Sequence, residues 1–216
     1  MVKFSNDADI LKYEPILFSE LHLPGQVLVA GTNGALSETT FTATDVDFTS
    51  ASVTAGGVIH LQSADGLLDG SFEIVSVNSS TQLTVSVIRA SSDDDVVAPP
   101  AATGISYHVS TFGPQAAEVA VQLTEYFGIK PGDSGSIYDT DDILDTNVLR
   151  RASVLAVISS VYARLASKAS DENFWKKSLY YQRLFEQARG RCRISVGSDG
   201  VADIVIDGAS LRLLRD

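Results

Sequence analysis

The chain has 216 residues, of which 44% are hydrophobic and 20% are charged, a composition typical of a folded globular protein with one domain or two small ones. Its one cysteine, Cys192, excludes a disulfide framework within the chain and a cysteine-rich zinc site. Residues 1–6 lack the apolar run of a signal peptide, and no stretch reaches membrane-spanning length. We therefore expect a protein that is made in the cytoplasm and does not enter a membrane.

The net charge of −11 is concentrated in the first part of the chain. Residues 1–120 carry 3 Lys or Arg and 14 Asp or Glu, whereas residues 121–216 carry 13 of each kind. Residues 150–193 hold 10 basic and 3 acidic side chains. The acidic part should repel phosphate groups. The basic stretch is either a solvated helix surface or a face that meets an acidic partner or passing nucleic acid.

The first quarter of the chain changes from a helical to a strand pattern. Asn6 and Asp7 suit a helix start, and Pro15 divides the apolar segment that follows into two short helices. Thr, Ser and Val then dominate residues 26–110, with turn residues about every ten positions, which predicts a small antiparallel β-barrel or sandwich. The candidate strands are 27–30, 39–44, 58–62, 71–77, 82–88 and 105–110. The acidic, proline-bearing segment 91–100 is expected to be a mobile loop.

The second half of the chain is predicted to be mainly helical. Gly113 and Pro114 open a helix near 114–127, which Gly128 ends. No glycine or proline lies between Gly135 and Gly190, which predicts a long helical hairpin, with helices at 147–168 and 171–189. Ser170 or Asp171 would cap the second of these helices. A short β-hairpin, residues 193–196 and 202–206, and a C-terminal tail follow.

The long helices carry more apolar surface than a two-helix hairpin can cover. The first is apolar over most of its circumference, which indicates burial on more than one side. Trp175 and Leu179 form a patch away from the main apolar face of the second. Other parts of this chain or a neighbouring copy must cover the excess. The residues predicted to make this inter-subunit or inter-domain contact are Val154, Val157, Val161, Trp175 and Leu179.

These patterns together predict an α+β fold in which a helical domain contains an inserted β domain. Residues 1–23 form the N-terminal part of the helical domain, and residues 24–112 form the inserted β domain. Residues 113–192 complete the helical domain. Residues 193–216 form the C-terminal β-hairpin and tail.

Three groups of residues could carry chemistry, and none predicts a catalytic or metal site. Gly132-Asp133-Ser134-Gly135 is similar to the nucleophile loop of trypsin-like serine proteases, but helices follow the serine and His22, His60 and His108 lack that family's context. We interpret the loop as a turn and the histidines as structural. Asp139, Asp141, Asp142 and Asp145 lack the spacing of a calcium loop and favour a helix start instead. We predict no enzyme activity, no cofactor and no metal.

Several segments together resemble the head-to-tail connector (adaptor) proteins of tailed bacteriophages. These segments are residues 7–15, 111–115, 126–129, 149–155, 161–162, 180–185 and 198–203. Within the β insert, residues 34–41 and 70–77 resemble a β module common in virion proteins. The turn at 196–200 departs from the more acidic turn of similar proteins, which argues against metal binding there.

The resemblance implies a structural virion protein at the head–tail interface, assembled in the host cytoplasm. It implies a homo-oligomeric ring, commonly of twelve copies, that docks beneath the portal protein and receives a tail or nozzle protein. DNA would pass through the lumen without sequence-specific binding. The tail would order on the portal, and the residues predicted to bind there are Leu211, Arg212, Leu213, Leu214 and Arg215.

Two other functions remain open. The β module could make the protein a binding component of the virion tail or surface that recognises glycans or proteins. A serine hydrolase that uses Ser134 is a more remote alternative, which replacement of Ser134 with alanine would test.

Overall fold

The computed structural model describes residues 2–21, 23–133, 135–169, 172–197 and 200–208, and they form an α+β fold. The chain divides into two compact units. Residues 6–112 form the first, which we call the barrel unit. Residues 1–5 and 113–216 form the second, which we call the helical unit. The predicted α+β class is thereby confirmed.

The described residues of the barrel unit form six strands, which close into an antiparallel barrel. Around the barrel the order is β1-β2-β5-β4-β3-β6, and β6 pairs with β1 to complete the circle. The strand positions agree with the periodicity of the sequence, and the prediction of a small antiparallel barrel is confirmed. The strands are β1 Val27–Ser37, β2 Thr40–Thr42, β3 Val58–Gln62, β4 Asp69–Ser79, β5 Gln82–Ser86 and β6 Ala102–Ser110.

Aromatic rings fill one part of the barrel interior. Phe41 packs against both Phe48 and Tyr107, with ring centroids 6.2 Å and 5.1 Å away. Gly34 of β1 passes so close to this cluster that a Cβ at that position would lie 2.6 Å from the Phe41 ring. A glycine is needed there because the backbone and the ring already occupy the space in which a side chain would begin.

Tyr107 should make the barrel sensitive to alkaline pH. It is 3% exposed, and its hydroxyl donates a hydrogen bond to Asp45 over 3.2 Å. Burial and the Asp45 charge raise the pKa of Tyr107 to about 12, above the value of about 10 in an unfolded chain. Since the unfolded state loses this proton first, the free energy of unfolding should fall from pH 10 to pH 12, by roughly 2 kcal/mol. Urea melts across this range should show a smaller fall in Tyr107→Phe, whereas the exposed Tyr13→Phe control should behave like the parent.

Two short helices, α1 Asp7–Leu11 and α2 Ile16–Ser19, belong to the barrel unit. Asn6 and Asp9 form a reciprocal capping box at the start of α1. Phe18 of α2 packs edge-on against Phe112, with ring centroids 5.1 Å apart. The predicted division at residue 23 is therefore corrected to residue 5, because the apolar faces of α1 and α2 are buried in the unit that contains the barrel.

The barrel unit begins and ends at neighbouring positions. The Asp7 carboxylate accepts a hydrogen bond from the Phe112 backbone N–H over 2.8 Å. The chain thus leaves this unit beside the point at which it enters. This arrangement is what insertion of one domain into another requires.

The described residues of the helical unit contain three longer helices and a β-hairpin. Gly128, with φ of +80°, follows the first of these helices and allows the left-handed turn that ends it. The hairpin strands pair antiparallel. The elements are α3 Gly113–Tyr126, α4 Asn147–Ala169, α5 Glu172–Arg189, β7 Arg193–Val196 and β8 Ile204–Asp207. The predicted cap at Ser170 or Asp171 lies outside the described residues.

Helices α4 and α5 are joined by a polar and an aromatic contact. The Ser159 hydroxyl donates to the Ser178 carbonyl over 3.0 Å, and the Ser178 hydroxyl donates to the Ser159 carbonyl over 2.9 Å. One helical turn away, Tyr162 stacks on Tyr181 with ring centroids 6.1 Å apart. The reciprocal hydrogen bonds fix the register of the two helices, because each hydroxyl reaches the carbonyl of the other serine only when Ser159 lies beside Ser178.

Candidate functional site

The predicted contact residues of α4 and α5 differ in their exposure. Val154, Val157 and Val161 are at most 1% exposed in a single chain. A neighbouring copy is therefore not needed to cover these three valines, and their burial favours the alternative in which other parts of the same chain cover the helix. The apolar pattern correctly indicated burial of α4, but a pattern cannot say which segment covers a helix.

The predicted residues of α5 remain on the surface. Trp175 is 52% exposed, and Leu179 and Tyr180 beside it are 38% and 59% exposed. We call these three residues the α5 patch. Their spacing of four positions places Trp175 and Leu179 on one face of α5, and Tyr180 follows Leu179 further round the helix, whose Tyr181 is buried. Three large apolar or aromatic side chains at adjoining positions form the kind of surface that mediates protein contacts.

A second apolar surface lies around the C-terminal β-hairpin. Ile137 is 87% exposed, and Val201, Ile204 and Val205 are also exposed. Ile137, Ile129 and Ile204 line a groove of about 320 Å³. We call Ile137 and Ile204, the exposed residues that line this groove, the hairpin patch. The predicted portal-binding residues Leu211, Arg212, Leu213, Leu214 and Arg215 lie outside the described residues.

A third surface is a basic groove formed by α4, α5 and the start of β7. Its volume is about 320 Å³. Ala152, Leu184, Ala188 and Cys192 provide an apolar floor, and exposed arginines stand around it. We call it the arginine groove. The three arginines that line it are Arg151, Arg191 and Arg193.

The cysteine in the floor of the arginine groove is structural. The Cys192 thiol donates to the carbonyls of Val148 and Ala188 over 3.2 Å and 3.3 Å. Burial raises the pKa of this thiol. Since the thiolate is the nucleophilic form, Cys192 is held in its unreactive state near neutral pH.

The barrel unit has a polar groove of about 580 Å³ on its outer surface, which we call the barrel groove. The pairing of β3 with β6 places His60 opposite His108, with ring centroids 5.0 Å apart. His60 Nδ1 lies 3.2 Å from the Ser71 hydroxyl, and His108 Nε2 lies 2.7 Å from the Phe18 carbonyl. Both histidines therefore make structural contacts. Their proximity depends on strand register, which the sequence did not reveal.

The serine-containing loop is held as a turn in its described part. The Asp133 carboxylate accepts a hydrogen bond from the Gly135 N–H over 2.9 Å, and the Ser136 N–H donates to the Asp133 carbonyl over 2.9 Å. These are local turn contacts that use the side chain next to the serine. Ser134 itself and His22 lie outside the described residues.

The acidic cluster before α4 forms local caps. Asp139 and Asp142 make a reciprocal capping box around the short 3₁₀ helix Thr140–Asp142, and Asp145 accepts a hydrogen bond from the Asn147 N–H over 3.2 Å. The predicted capping role is thus found, at the 3₁₀ helix and the segment that leads into α4. Within the described ranges, no group of three or more His, Cys, Asp or Glu residues could hold a metal ion.

Comparison with protein-family models, curated proteins and solved structures gave no match. In the part of the chain that the structure describes, no helix is both long and apolar enough to cross a membrane. The surfaces of the two units are therefore the features from which a function can be inferred.

Proposed function

We propose that the protein is a structural virion connector, which forms a ring between the capsid portal and the tail and lets DNA pass. The observation that carries this proposal is the α5 patch, a group of exposed large apolar and aromatic side chains on a helix whose Tyr181 side is already packed. A monomer gains nothing from such a surface, whereas a ring subunit must present one to its neighbour. The resemblance to phage connectors is the reason for proposing this particular assembly, a ring between the portal and the tail.

The hairpin patch supports a second contact, which the helical unit would make near the C-terminal end of its sequence. A connector must bind its own copies, the portal and a tail component, so it needs more than one apolar surface. Ile204 is exposed on β8, which leads into residues 209–216, the segment expected to bind the portal, and the exposed Ile137 lines the same groove as Ile204. We assign the hairpin patch and that tail to the portal contact.

The charge distribution suits a lumen that conducts DNA. The barrel unit carries 2 Lys or Arg and 13 Asp or Glu. A surface of this charge repels the phosphate backbone, so DNA would not be retained by it. The barrel unit is therefore the better candidate for a surface that faces passing DNA.

Trp175→Ala should weaken assembly more than it weakens the isolated fold. Because half of the Trp175 side chain is exposed, its removal should cost the single chain less than about 1 kcal/mol. Loss of a central aromatic anchor should cost an interface about 2 kcal/mol or more. Native mass spectrometry should show fewer rings, with an unchanged circular dichroism melt. Tyr13→Ala, at an exposed aromatic residue of the barrel unit, is the matched control.

Binding to the portal tests the proposal as a whole. We expect the full chain, mixed with portal protein, to form a ring visible by electron microscopy, and a chain truncated after residue 207 to lose this binding. A strict monomer that ignores portal with or without residues 208–216 would overturn the connector function.

The barrel groove supports one alternative, a glycan-binding module of the virion. His60, Gln62, Asp69 and Ser71 place donors and acceptors in a groove large enough for a sugar ring. Binding of the full chain to a glycan array, lost in Gln62→Ala, would favour this alternative. Retained portal binding in the same variant would favour the connector.

A further inference from the structure

We propose that an acidic loop of the barrel unit docks in the arginine groove of a neighbouring copy. The loop consists of residues 91–97 and presents Asp93, Asp95, Val96 and Val97 to solvent. This inference rests on the self-assembly part of the proposed function and names the surfaces that meet.

The two surfaces match in chemistry. The arginine groove combines an apolar floor with the cationic side chains of Arg151, Arg191 and Arg193. The acidic loop combines carboxylates with two exposed valines at the next two positions. A purely anionic ligand such as phosphate would use the arginines but leave the floor uncovered. A segment with both aspartates and valines would use both parts of the groove.

The groove's arginines are available for a partner. In the described part of the chain, Arg151 and Arg191 form no ion pair, and Arg193 pairs only with an exposed carboxylate, Asp207, over 3.4 Å. An exposed pair of that kind contributes little and exchanges readily for another partner. Among the described residues, Arg151 and Arg191 therefore carry positive charge that no ion pair neutralises.

The acidic loop is ordered before it meets a partner. Arg89 donates hydrogen bonds from Nη1 to the carbonyls of Ser92 and Asp94, over 2.8 Å and 2.9 Å. The Ser91 N–H donates to the Asp94 carboxylate over 2.8 Å, which closes the turn. Residues 91–94, part of the segment that the sequence predicts to be a mobile loop, thus form a hydrogen-bonded turn. Because these contacts fix the backbone, docking costs less conformational entropy than it would for a flexible acidic tail.

Arg89 is itself fixed by a buried partner. Its Nη2 lies 2.8 Å from Glu73 Oε1, and the two side chains are 8% and 10% exposed. The Asp94 side chain is used within the loop, whereas Asp93 and Asp95 are exposed. The loop thus has an inner side that binds the barrel and an outer side that carries carboxylates and valines.

The groove is large enough for this occupant. Its volume of about 320 Å³ admits a few side chains but not a whole domain. The loop belongs to the barrel unit and the groove belongs to the helical unit. A contact between two copies therefore joins two different surfaces of the chain. A contact of this heterologous kind closes into a ring where the rotation between successive copies closes, and otherwise forms an open filament.

Charge reversal in the full chain tests the contact. Sedimentation velocity at low salt should show self-association in the parent protein. Arg151→Glu with Arg191→Glu, or Asp93→Arg with Asp95→Arg, should each weaken self-association about tenfold or more. A chain that carries all four changes should recover most of the loss, because the charges are exchanged. All four positions are exposed, so the variants should fold normally.

Matched controls separate this contact from a general effect of charge. Arg183→Glu changes an exposed arginine of α5 outside the groove, and Glu38→Lys changes an exposed acid of the barrel unit outside the loop; both should associate like the parent. The inference would be overturned if the groove variants self-associated as strongly as the parent. It would also be overturned if the fourfold variant did not recover self-association.

Ring formation on portal distinguishes the two proposals. If every variant forms rings on portal as well as the parent does, the loop-in-groove contact is wrong and the connector function stands. If the parent forms no ring and does not self-associate at any concentration, both proposals are overturned. If the reversal variants alone fail to form rings and the fourfold variant succeeds, both are supported.

Discussion

Replacing Tyr162 with alanine should strongly destabilise the helical unit, lowering its free energy of unfolding by about 3–5 kcal/mol. Tyr162 is fully buried in α4. Its ring stacks on Tyr181 and lies 5.9 Å from the Phe174 ring, while the Lys177 ammonium lies 4.8 Å from its centroid. Truncation to alanine would leave a cavity at the centre of the contact between α4 and α5.

Tyr162→Phe is the conservative control for this prediction. It keeps the ring contacts and removes only the hydroxyl, which accepts a hydrogen bond from Lys177 Nζ over 2.9 Å. The expected cost is about 1 kcal/mol. The sole tryptophan of the chain, Trp175, lies in α5, so its fluorescence in a urea titration reports on this unit. Similar midpoints for Tyr162→Ala and Tyr162→Phe would show that the aromatic cluster contributes little to stability.

The sequence predicted local structure well because local signals determine it. Alternation of apolar and polar residues, with recurrent turn residues, placed every strand of the barrel near its observed position. The absence of glycine and proline between Gly135 and Gly190 gave the positions of α4 and α5 to within a few residues. Helix starts followed capping residues such as Asn6. These features depend on neighbours in the chain.

Relations between distant residues could not be predicted in this way. The apolar face of α2 indicated burial, but only the folded chain shows that Phe18 packs against Phe112, 94 positions away. The excess of basic residues in 150–193 was visible, yet nothing showed that Arg151, Arg191 and Arg193 surround one apolar floor. The pairing of Glu73 with Arg89 likewise depends on how β4 meets the segment that follows β5.

Replacing Arg89 with methionine should lower the free energy of unfolding of the barrel unit by about 2–3 kcal/mol. The change leaves the buried Glu73 carboxylate without its cation, and an uncompensated buried charge is costly. The pKa of Arg89 is raised, first by its hydrogen bond to Glu73, so the arginine remains charged at any pH at which the protein is handled. Urea titration followed by far-ultraviolet circular dichroism measures the loss.

The double variant Glu73→Gln with Arg89→Met separates fold stability from docking. Glutamine keeps an acceptor for the Arg89 backbone N–H, which donates to Glu73 Oε2 over 3.3 Å, and removes the unpaired charge. Much of the lost stability should therefore return, since replacing both partners of a buried ion pair is far less costly than removing one. The carbonyls of Ser92 and Asp94 would still lack the guanidinium that orders the acidic loop. Self-association should then remain weaker than in the parent, even though the fold has recovered. Full recovery of both properties would mean that loop order does not contribute to the contact.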